Sequence, residues 1–467
     1  NTGSQGGARV FLFKRKERDL MEQHNNILGT MPVRKLVLTM SSPIMLSMLM
    51  GAIYNLVDSI YVAQVSDLDF LALSYAYPVQ LMIVAFCAGL GVGFNAILAK
   101  RLGEGRLEDA VNAACHGFLL YGAVWLLALI FALVGCTPFF QSCSDNPVVV
   151  QSGIAYLTIC CGLSIGLCMQ FLCERILQST GHPAGFMIVQ GSGALLNIVL
   201  DPIFIFIFDM GVVGAAVATV IGQISGACIG FFLLWRLRRS FPISPRRFHF
   251  SPPLTGEILR IAAPAIVMQS LSSFMTLGLN QIMNLWSETG VFVLGVYFKI
   301  QSFVFMPIFG VNSGLIPIIS YNYGAKNAPR ISQSIRFGLQ LGVCTGLAGT
   351  AILSLAASPL LRWCFQAPEE AVQMGVPALR MTALAFAVAS VSIVLSAAFQ
   401  SLDRSSCSLL VSLLRQIIFL LPIALLLTRV KPELVWLCFL LAELLTVAIA
   451  IPLYRKTVVP RIRALEG

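Results

Sequence analysis

Charged residues are scarce in this sequence of 467 residues. Asp, Glu, Lys and Arg make up 11% of it, less than half of the roughly 25% that soluble domains carry. This scarcity excludes an ordinary soluble enzyme. Apolar residues make up 57% of the chain, and runs of the roughly 20 residues that cross a bilayer recur along nearly its whole length. The sequence therefore predicts an all-α polytopic membrane protein without a sizeable soluble domain.

Motifs for nucleotide binding and for catalysis are also missing. No GxxxxGK[ST] sequence occurs, and Gly89, Gly91 and Gly93 follow no soluble strand, so ATP is not the predicted energy source. The four histidines lack HExxH spacing, which gives no support for a membrane metalloprotease. We therefore expect a protein that is not an enzyme, with no catalytic residue, no bound metal and no cofactor. The net charge of +10 suggests basic cytoplasmic loops rather than nucleic-acid binding.

Apolar runs separated by Gly, Pro or charged residues predict twelve transmembrane helices. If the N-terminus is cytoplasmic, Lys and Arg concentrate in the inner loops, and the outer loops keep only Arg362, Arg429 and Lys431. By the positive-inside rule, both termini are predicted to lie in the cytoplasm, in a multi-pass protein of the cell membrane. The predicted spans are centred within 36–60, 70–98, 113–135, 151–173, 184–207, 211–235, 257–284, 291–320, 333–357, 372–400, 406–428 and 432–453.

A long internal repeat joins the two halves of the chain. Eight pairs of identical residues share one offset of 221, and it continues with slight drift to Gln178-Ser179 against Gln400-Ser401. Since each copy holds six helices, an even number, both copies enter the membrane from the same side, as in transporters built from parallel repeats. The eight pairs are Pro43/Pro264, Gln80/Gln301, Gly89/Gly310, Gly93/Gly314, Gly103/Gly324, Pro138/Pro359, Cys143/Cys364 and Pro147/Pro368.

The repeat predicts how the chain is divided. Two like-oriented halves around a central cavity favour a transporter, with a duplicated scaffold or channel as the alternative. The predicted parts are an N-terminal tail 1–30, of which 1–20 is expected to be extraneous, a six-helix lobe 31–235, a basic cytoplasmic linker 236–256, a second six-helix lobe 257–455 and a cytoplasmic tail 456–467.

Polar residues inside the first-half spans are the leading functional candidates, because ionisable groups in a membrane usually face protein or a water-filled cavity. Asn197 and Asp201 are four residues apart and so share one helical face. Thr219 and Asp58 fall at similar depths on other helices. Two carboxylates with an amide and a hydroxyl are suited to a proton or a small cation. Alternatively, Asp201 only satisfies backbone donors freed at the kink made by Pro202.

The second half carries a different set of charges. Arg415 and Glu443 fall at similar depth on antiparallel neighbours, which predicts a structural ion pair. Lys299 and Arg380 either extend towards the membrane surface or attract an anionic substrate group. In the first half, the residues expected at the interfacial inner end of helix four are Glu174 and Arg175. The residues expected in the substrate cavity are Asn55, Gln80, Gln301, Lys299 and Met268.

Several short motifs give the chain a family resemblance. Over 30–455 it resembles the multidrug and toxic compound extrusion (MATE) transporters, and the motifs are strong together although each is weak alone. The matching residues are Pro43, Asn55-Leu56-Val57-Asp58, Leu102-Gly103-Glu104-Gly105, Gln178-Ser179-Thr180-Gly181-His182-Pro183, Asn197-Ile198-Val199-Leu200-Asp201-Pro202, Tyr321-Asn322-Tyr323-Gly324-Ala325, Arg415-Gln416 and Pro422.

The resemblance implies two six-helix lobes around a V-shaped cavity, with efflux driven by inward movement of H+ or Na+. In the branch with a cation site in the first lobe (DinF-like), the ligands correspond to Asp58, Asn197, Asp201 and Thr219, and the bending proline of helix one to Pro43. The acidic residues that other members carry in helices seven and ten are missing here, so no second-lobe cation site is expected.

The predicted function is secondary active multidrug efflux. The expected substrates are amphipathic, cationic organic compounds exported in antiport with H+ or Na+ by alternating access, and the expected partners are these small molecules and membrane lipid, with a monomer as the functional unit. A flippase or exporter for a lipid-linked precursor or a specific metabolite is the alternative. A channel or scaffold is a third reading, in which Asp58 and Asp201 would not be needed.

Overall fold

The computed structural model describes residues 27–63, 67–243 and 248–466. Over these residues all regular structure is helical: eleven helices are long and apolar enough to cross a membrane, and a pair of helices bent by 41° makes a twelfth span. The predicted all-α, twelve-helix fold is thereby confirmed. The spans are α1 Val33–Ala63, α2 Asp67–Gly103, α3 Leu107–Cys143, α4 Pro147–Ser179, α5 Pro183–Ile207, α6 Gly211–Arg239, α7 Pro252–Asn284, α8 Glu288–Gly324, α9 Ala328–Cys364, α10 Glu369–Ala383 with Ala385–Ser401, α11 Ser405–Val430 and α12 Pro432–Arg463.

The connection between the two halves is shorter than the predicted linker. Helix α6 continues to Arg239 and α7 begins at Pro252, and both lie within the span assigned to the linker from sequence. The end of the connection is fixed to α3, where His116 Nε2 accepts a hydrogen bond of 3.0 Å from the backbone N–H of Ser251. The first part of the predicted N-terminal tail, 1–26, lies outside the described residues.

Three apolar cores define the shape of the molecule. One core combines residues of both lobes, such as Phe94 and Phe399, with Leu28 and Ile462 from the two ends of the described chain. We call this end of the molecule the terminal face and the opposite end the far face. Towards the far face, a separate core belongs to the first lobe, α1–α6, and another to the second lobe, α7–α12. Two lobes that share a core at one end only form the predicted V around a central cavity.

Glycines allow the lobes to approach each other within backbone contact near the terminal face. On α2, Gly89 and Gly93 pack directly on α7, and a Cβ atom at Gly89 would lie 2.5 Å from the backbone nitrogen of Ile266. A Cβ atom at Gly93 would collide with the backbone oxygen of Ile258. Pro264 lies between these two contact points on α7. Only glycine, which has no Cβ, fits two helices this closely packed.

The second contact repeats the first under the 221-residue offset. On α8, Gly310 and Gly314 pack on α1, where added Cβ atoms would lie 2.6 Å from Met45 Cγ and 2.6 Å from Ser41 Oγ. Pro43 lies between Ser41 and Met45, as Pro264 lies between its two contact points. The two lobes are therefore held together by a pair of equivalent contacts, each formed by a proline-containing helix and a glycine-containing helix.

Ion pairs add to this closure at the terminal face. Lys100 Nζ of α2 lies 3.1 Å from Asp403 Oδ2 and 3.5 Å from Glu257 Oε1, and Arg101 Nη2 lies 2.5 Å from Glu257 Oε2. Asp403 and Glu257 belong to the second lobe, so every one of these pairs bridges the lobes. All four side chains are largely buried, which reduces screening by salt.

Replacing Gly93 by alanine should weaken the closed contact. The added methyl group collides with backbone that cannot rotate away, so we expect a loss of about 1–3 kcal/mol in the free energy of unfolding. The measurement is the melting temperature of the purified protein in detergent. Gly122→Ala is the matched control, because nothing lies within 4 Å of the Cβ position at Gly122. Equal melting temperatures for the two variants would contradict the proposed close approach.

Replacing Glu257 by glutamine should loosen the terminal face without unfolding the protein. Two cations lose their carboxylate partner across the lobes, worth about 1 kcal/mol, and so exchange of the amides in 310–324 should be about fivefold faster by hydrogen–deuterium exchange. Glu104→Gln is the control, since Glu104 contacts Arg101 and Arg106 within the first lobe. If both variants exchange at the rate of the parent protein, the ion pairs do not hold the lobes together.

Candidate functional site

Three of the four predicted cation ligands meet inside the first lobe. Asn197 Nδ2 donates to Asp201 Oδ1 at 3.1 Å and to Thr219 Oγ1 at 3.3 Å, which joins α5 to α6. The residues are almost fully buried, with exposed fractions of 2% for Asn197, 0% for Asp201 and 9% for Thr219. The spacing of four that placed Asn197 and Asp201 on one face thus also brings their polar atoms into contact.

The fourth predicted ligand, Asp58, lies on α1, which packs against α5. The side chains of Asp58 and Asn55 fall outside the described residues. Their roles as cation ligand and cavity residue therefore stay predictions.

Close packing of α5 and α6 creates the space in which these groups meet. One helical turn from Asn197, a Cβ atom at Gly193 would lie 2.8 Å from the backbone oxygen of Gly222. The glycine Gly222 therefore lets α6 pack closely on α5, which also allows Thr219 to reach Asn197.

The chemistry of this cluster suits a proton or a small cation. Asn197 Oδ1 is buried and accepts no hydrogen bond from any described group, although a buried carbonyl oxygen normally has a partner. It lies beside the Asp201 carboxylate and the Thr219 hydroxyl, which are hard oxygen ligands of the kind that bind small cations. This buried acceptor favours the ion-binding reading over the alternative in which Asp201 only satisfies the backbone at Pro202.

The predicted ion pair of the second lobe is present. Arg415 Nε lies 3.2 Å from Glu443 Oε1, and Ser392 Oγ donates to the other carboxylate oxygen at 3.3 Å. Both members of the pair are largely buried. Each therefore neutralises the charge of the other, which would be costly to bury alone. Arg380, in contrast, is exposed and donates to the backbone oxygen of Ser354 at 3.2 Å.

The residues predicted for the substrate cavity divide between the lobes. Gln80 Nε2 donates to the Tyr156 hydroxyl at 3.1 Å within the first lobe. Lys299 is exposed and Gln301 is half-buried. Met268 lies in the second lobe, where its sulfur accepts a hydrogen bond from the Ser408 hydroxyl at 3.5 Å. Gln80 and Met268 therefore do not form one cluster.

Two further cavity residues follow from the lobe contacts. Met82 lies seven residues before Gly89 on α2, and Phe303 lies seven residues before Gly310 on α8. Two helical turns return a side chain to the same face, so we expect both on the sides of their helices that face the opposite lobe, beyond the point of contact. They are 59% and 39% exposed and are related by the 221-residue offset. Sequence reasoning did not assign them, although the repeat of the glycines was the signal that could have found them.

Glu174 and Arg175 are enclosed by protein. Their expected place at the interfacial inner end of helix four stays a prediction, and within the first lobe they are buried, with exposed fractions of 2% and 8%. Helix α4 continues to Ser179, so the pair lies more than one turn inside its end.

Comparison with known proteins agrees with this architecture. The MatE family model matches residues 43–203 and again 264–426, so the two matches begin at Pro43 and Pro264 and reproduce the internal repeat. Together they cover more than half of the chain. The fold and the buried sites thus define a membrane transporter made of two repeated lobes, and the chain belongs to the MatE family.

Individual relatives have sequence identities of 25% to 28% with this chain. The multidrug export protein MepA of Staphylococcus aureus is 28% identical over 314 residues, which cover 65% of this chain and 68% of MepA. A solved outward-facing multidrug resistance MATE family transporter of the MOP superfamily is 25% identical, with a TM-score of 0.89 over 94% of this chain and 98% of that one. A MOP superfamily transporter from Pyrococcus furiosus, for which reverse polarity of the binding pocket suggests a different function, has 25% identity and a TM-score of 0.84 over the same shares.

Proposed function

We propose that this protein exports amphipathic organic cations from the cell in exchange for H+ or Na+, as a monomer in the plasma membrane. The observation that carries the proposal is the buried Asn197–Asp201–Thr219 cluster in one lobe of a two-lobed transporter. Multidrug export in the name of the relative MepA supports drug-like substrates. A membrane transporter with no ATP motif requires an ion gradient to move a substrate uphill.

Helix α1 connects the cation cluster with the closed contact. Its outer part carries Asp58 and packs on α5, while its inner part packs on α8 through Ser41 and Met45. Pro43 lies between them, and because proline has no N–H, the helix lacks one backbone hydrogen bond there. The Ser47 hydroxyl binds the backbone oxygen of Pro43 at 2.9 Å. Loading Asp58 and Asp201 with a cation changes the bend of α1 at Pro43 and so loosens its contact with α8.

The direction of transport follows from the predicted topology. With both termini in the cytoplasm, the closed terminal face is the cytoplasmic side and the cavity opens outwards. The likeness to a solved transporter described as outward-facing supports this assignment. In this state the cluster takes up a cation from outside, substrate leaves, and the return to the inward-open state carries the cation into the cell.

The ion gradient sets the largest substrate gradient that this exchange can maintain. A membrane potential of about 100 mV contributes about 2.3 kcal/mol per charge moved, and one pH unit contributes about 1.4 kcal/mol per proton. For one proton against one monovalent organic cation no net charge moves, so the potential has no effect. One pH unit then sustains a substrate gradient of about tenfold.

A lipid-linked precursor or a specific metabolite is the second candidate substrate. The exposed cations Lys299 and Arg380 on the second lobe are the observation that favours it, because they would attract an anionic group. A structural neighbour for which reverse polarity of the binding pocket suggests a different function supports a substrate of another charge. Accumulation of a lipid-linked precursor after deletion of the gene, with unchanged drug sensitivity, would favour this candidate.

Neutralising either carboxylate should abolish coupled efflux. Asp58→Asn and Asp201→Asn remove the charge that retains the cation, so we expect at least about a tenfold loss of gradient-driven dye efflux. The measurement is ethidium efflux in energised membrane vesicles, with proton and Na+ gradients imposed separately. The gradient that drives efflux in the parent protein identifies the coupling ion.

Asp209→Asn is the matched control for these variants. Asp209 lies eight residues after Asp201 but is exposed in the connection to α6. Its φ angle is positive, at 52°, a conformation that asparagine tolerates well, so this variant should fold and transport normally. Full-rate efflux by Asp58→Asn or Asp201→Asn would overturn the proposed coupling.

Shortening the two cavity residues should alter the choice of substrate. Met82→Ala and Phe303→Ala each remove apolar surface worth about 1–2 kcal/mol to a bound apolar ligand, so resistance should change about five- to thirtyfold and differently for dyes of different shape. Minimum inhibitory concentrations for a panel of cationic dyes measure this effect. Leu133→Ala, at an exposed position of α3, is the control, and a uniform effect across all dyes would argue against a cavity role.

A further inference from the structure

Glu174 is a buried carboxylate that the exchange described above does not use. It lies on α4 with only 2% of its surface exposed. Gln170 Nε2 donates to its Oε1 at 3.0 Å. Among the described residues no cation lies within 4 Å of the carboxylate, although the charge of Arg175, the next residue in the chain, acts on it from further away. A charged group in this position is costly unless it has a function or a strong partner. The Gln170 hydrogen bond is a weak compensation by comparison with the ion pair of Glu443 in the other lobe.

A column of polar atoms and glycines joins Glu174 to the cation cluster. Gln170 lies against the glycines of α5 and α6: a Cβ at Gly226 would be 3.2 Å from its Oε1, and one at Gly193 would be 3.9 Å from its Nε2. Gly193 is one turn from Asn197 on α5. By helical rise, Gln170 lies about 12 Å from Asp201 along the lobe axis, and Glu174 about one further turn, or 6 Å, towards the terminal face.

On its other side, Glu174 is linked to the closed contact between the lobes. Arg175 Nη1 donates to Gln178 Oε1 at 2.9 Å, and Gln178 Nε2 donates to the backbone oxygen of Ser313 on α8 at 2.7 Å. Ser313 is adjacent to Gly314, which packs on α1. Arg175 Nε is buried and has no hydrogen-bond partner among the described residues. Arg175 thus connects Glu174, its neighbour in the chain, to a hydrogen bond that crosses between the lobes.

We propose that Glu174 is a second proton-binding carboxyl of the first lobe, so that two protons enter the cell for each organic cation exported. The inference rests on the proposed exchange and assigns H+ as its coupling ion. In the closed state the Glu174 carboxylate takes up one proton that arrives along the polar column. The neutral acid no longer offsets the nearby charge of the buried Arg175, which destabilises the closed terminal face. After this face opens, Glu174 releases the proton to water in the cytoplasm.

A proton fits this position better than a metal cation. The titratable groups near Glu174 are the Tyr121 hydroxyl of α3, Cys87 of α2, and Cys168, Cys173 and Arg175 of α4 itself, with Cys228 of α6 close to Cys173. Gln170 presents its N–H to the carboxylate, and thiols are poor ligands for Na+, so the hard oxygen ligands that a metal cation requires are not assembled here. Helix α5 contributes no ionisable side chain near this level, since its one acidic residue is Asp201.

The number of protons decides whether the membrane potential can drive export. Two protons against one monovalent cation carry one net charge inwards, whereas one proton carries none. The decisive experiment uses the full chain in proteoliposomes loaded with ethidium. Efflux is driven either by a pH gradient at zero potential or by a potassium–valinomycin potential at equal pH, and the initial rates are compared.

In Glu174→Gln, the efflux rate driven by the pH gradient should stay within about threefold of the parent rate. The efflux rate driven by the membrane potential should fall at least about tenfold. Asp201→Asn should lose both. The double variant Arg415→Gln with Glu443→Gln is the matched control, since it removes a buried carboxylate of the other lobe together with its partner, and it should keep both. A residue with only a structural role would lower both rates together.

Each remaining outcome is informative. A full response of Glu174→Gln to the potential would overturn the second proton site, and so would efflux that follows Na+ instead of pH. If Glu174→Gln loses both rates, Glu174→Asp, which keeps the carboxyl group, must restore the response to the potential or the proposal is wrong. If Asp201→Asn keeps both rates, it is the proposed exchange that fails, independently of Glu174.

Discussion

The structure depends on glycines that let the two lobes touch backbone to backbone. Gly89 and Gly93 of α2 meet α7, and Gly310 and Gly314 of α8 meet α1. A larger residue at any of these four positions would hold the lobes apart, and the shared apolar core at the terminal face would lose its close packing. Because the closed contact is narrow and lies at one end, the same two lobes leave a cavity at the other end.

The contact between the lobes is also where helices α1 and α7 are able to bend. Proline weakens the backbone of α1 at Pro43 and of α7 at Pro264, in each case between the two residues that meet the glycines. A helix with a missing hydrogen bond at its contact point can bend there without losing the rest of its structure. A close but locally weakened contact is what alternating access requires, since the lobes must seal tightly and still separate in each cycle.

The two copies of the repeat have kept this mechanical part and diverged in their charges. In the first lobe, Asn197 and Asp201 make a buried cluster in which Asn197 Oδ1 accepts no hydrogen bond from the described residues. In the second lobe, the buried charges Arg415 and Glu443 neutralise each other. A carboxylate that is paired with a cation gains little from taking up a proton. For this reason the proposed ion coupling is placed in the first lobe.

Sequence by itself determined the features that depend on local composition and on periodicity. Long apolar runs fixed the twelve helices, the 221-residue offset fixed the two lobes, and the spacing of four brought Asn197 to Asp201. The tertiary structure decided what depends on contacts between distant segments. The depth of Glu174 could be counted along the chain, but only the packing of α4 within the lobe shows that its side chain is enclosed by protein. Likewise, Gly89 contacts Ile266 because of how two helices distant in the sequence pack together. No local sequence pattern predicts this contact.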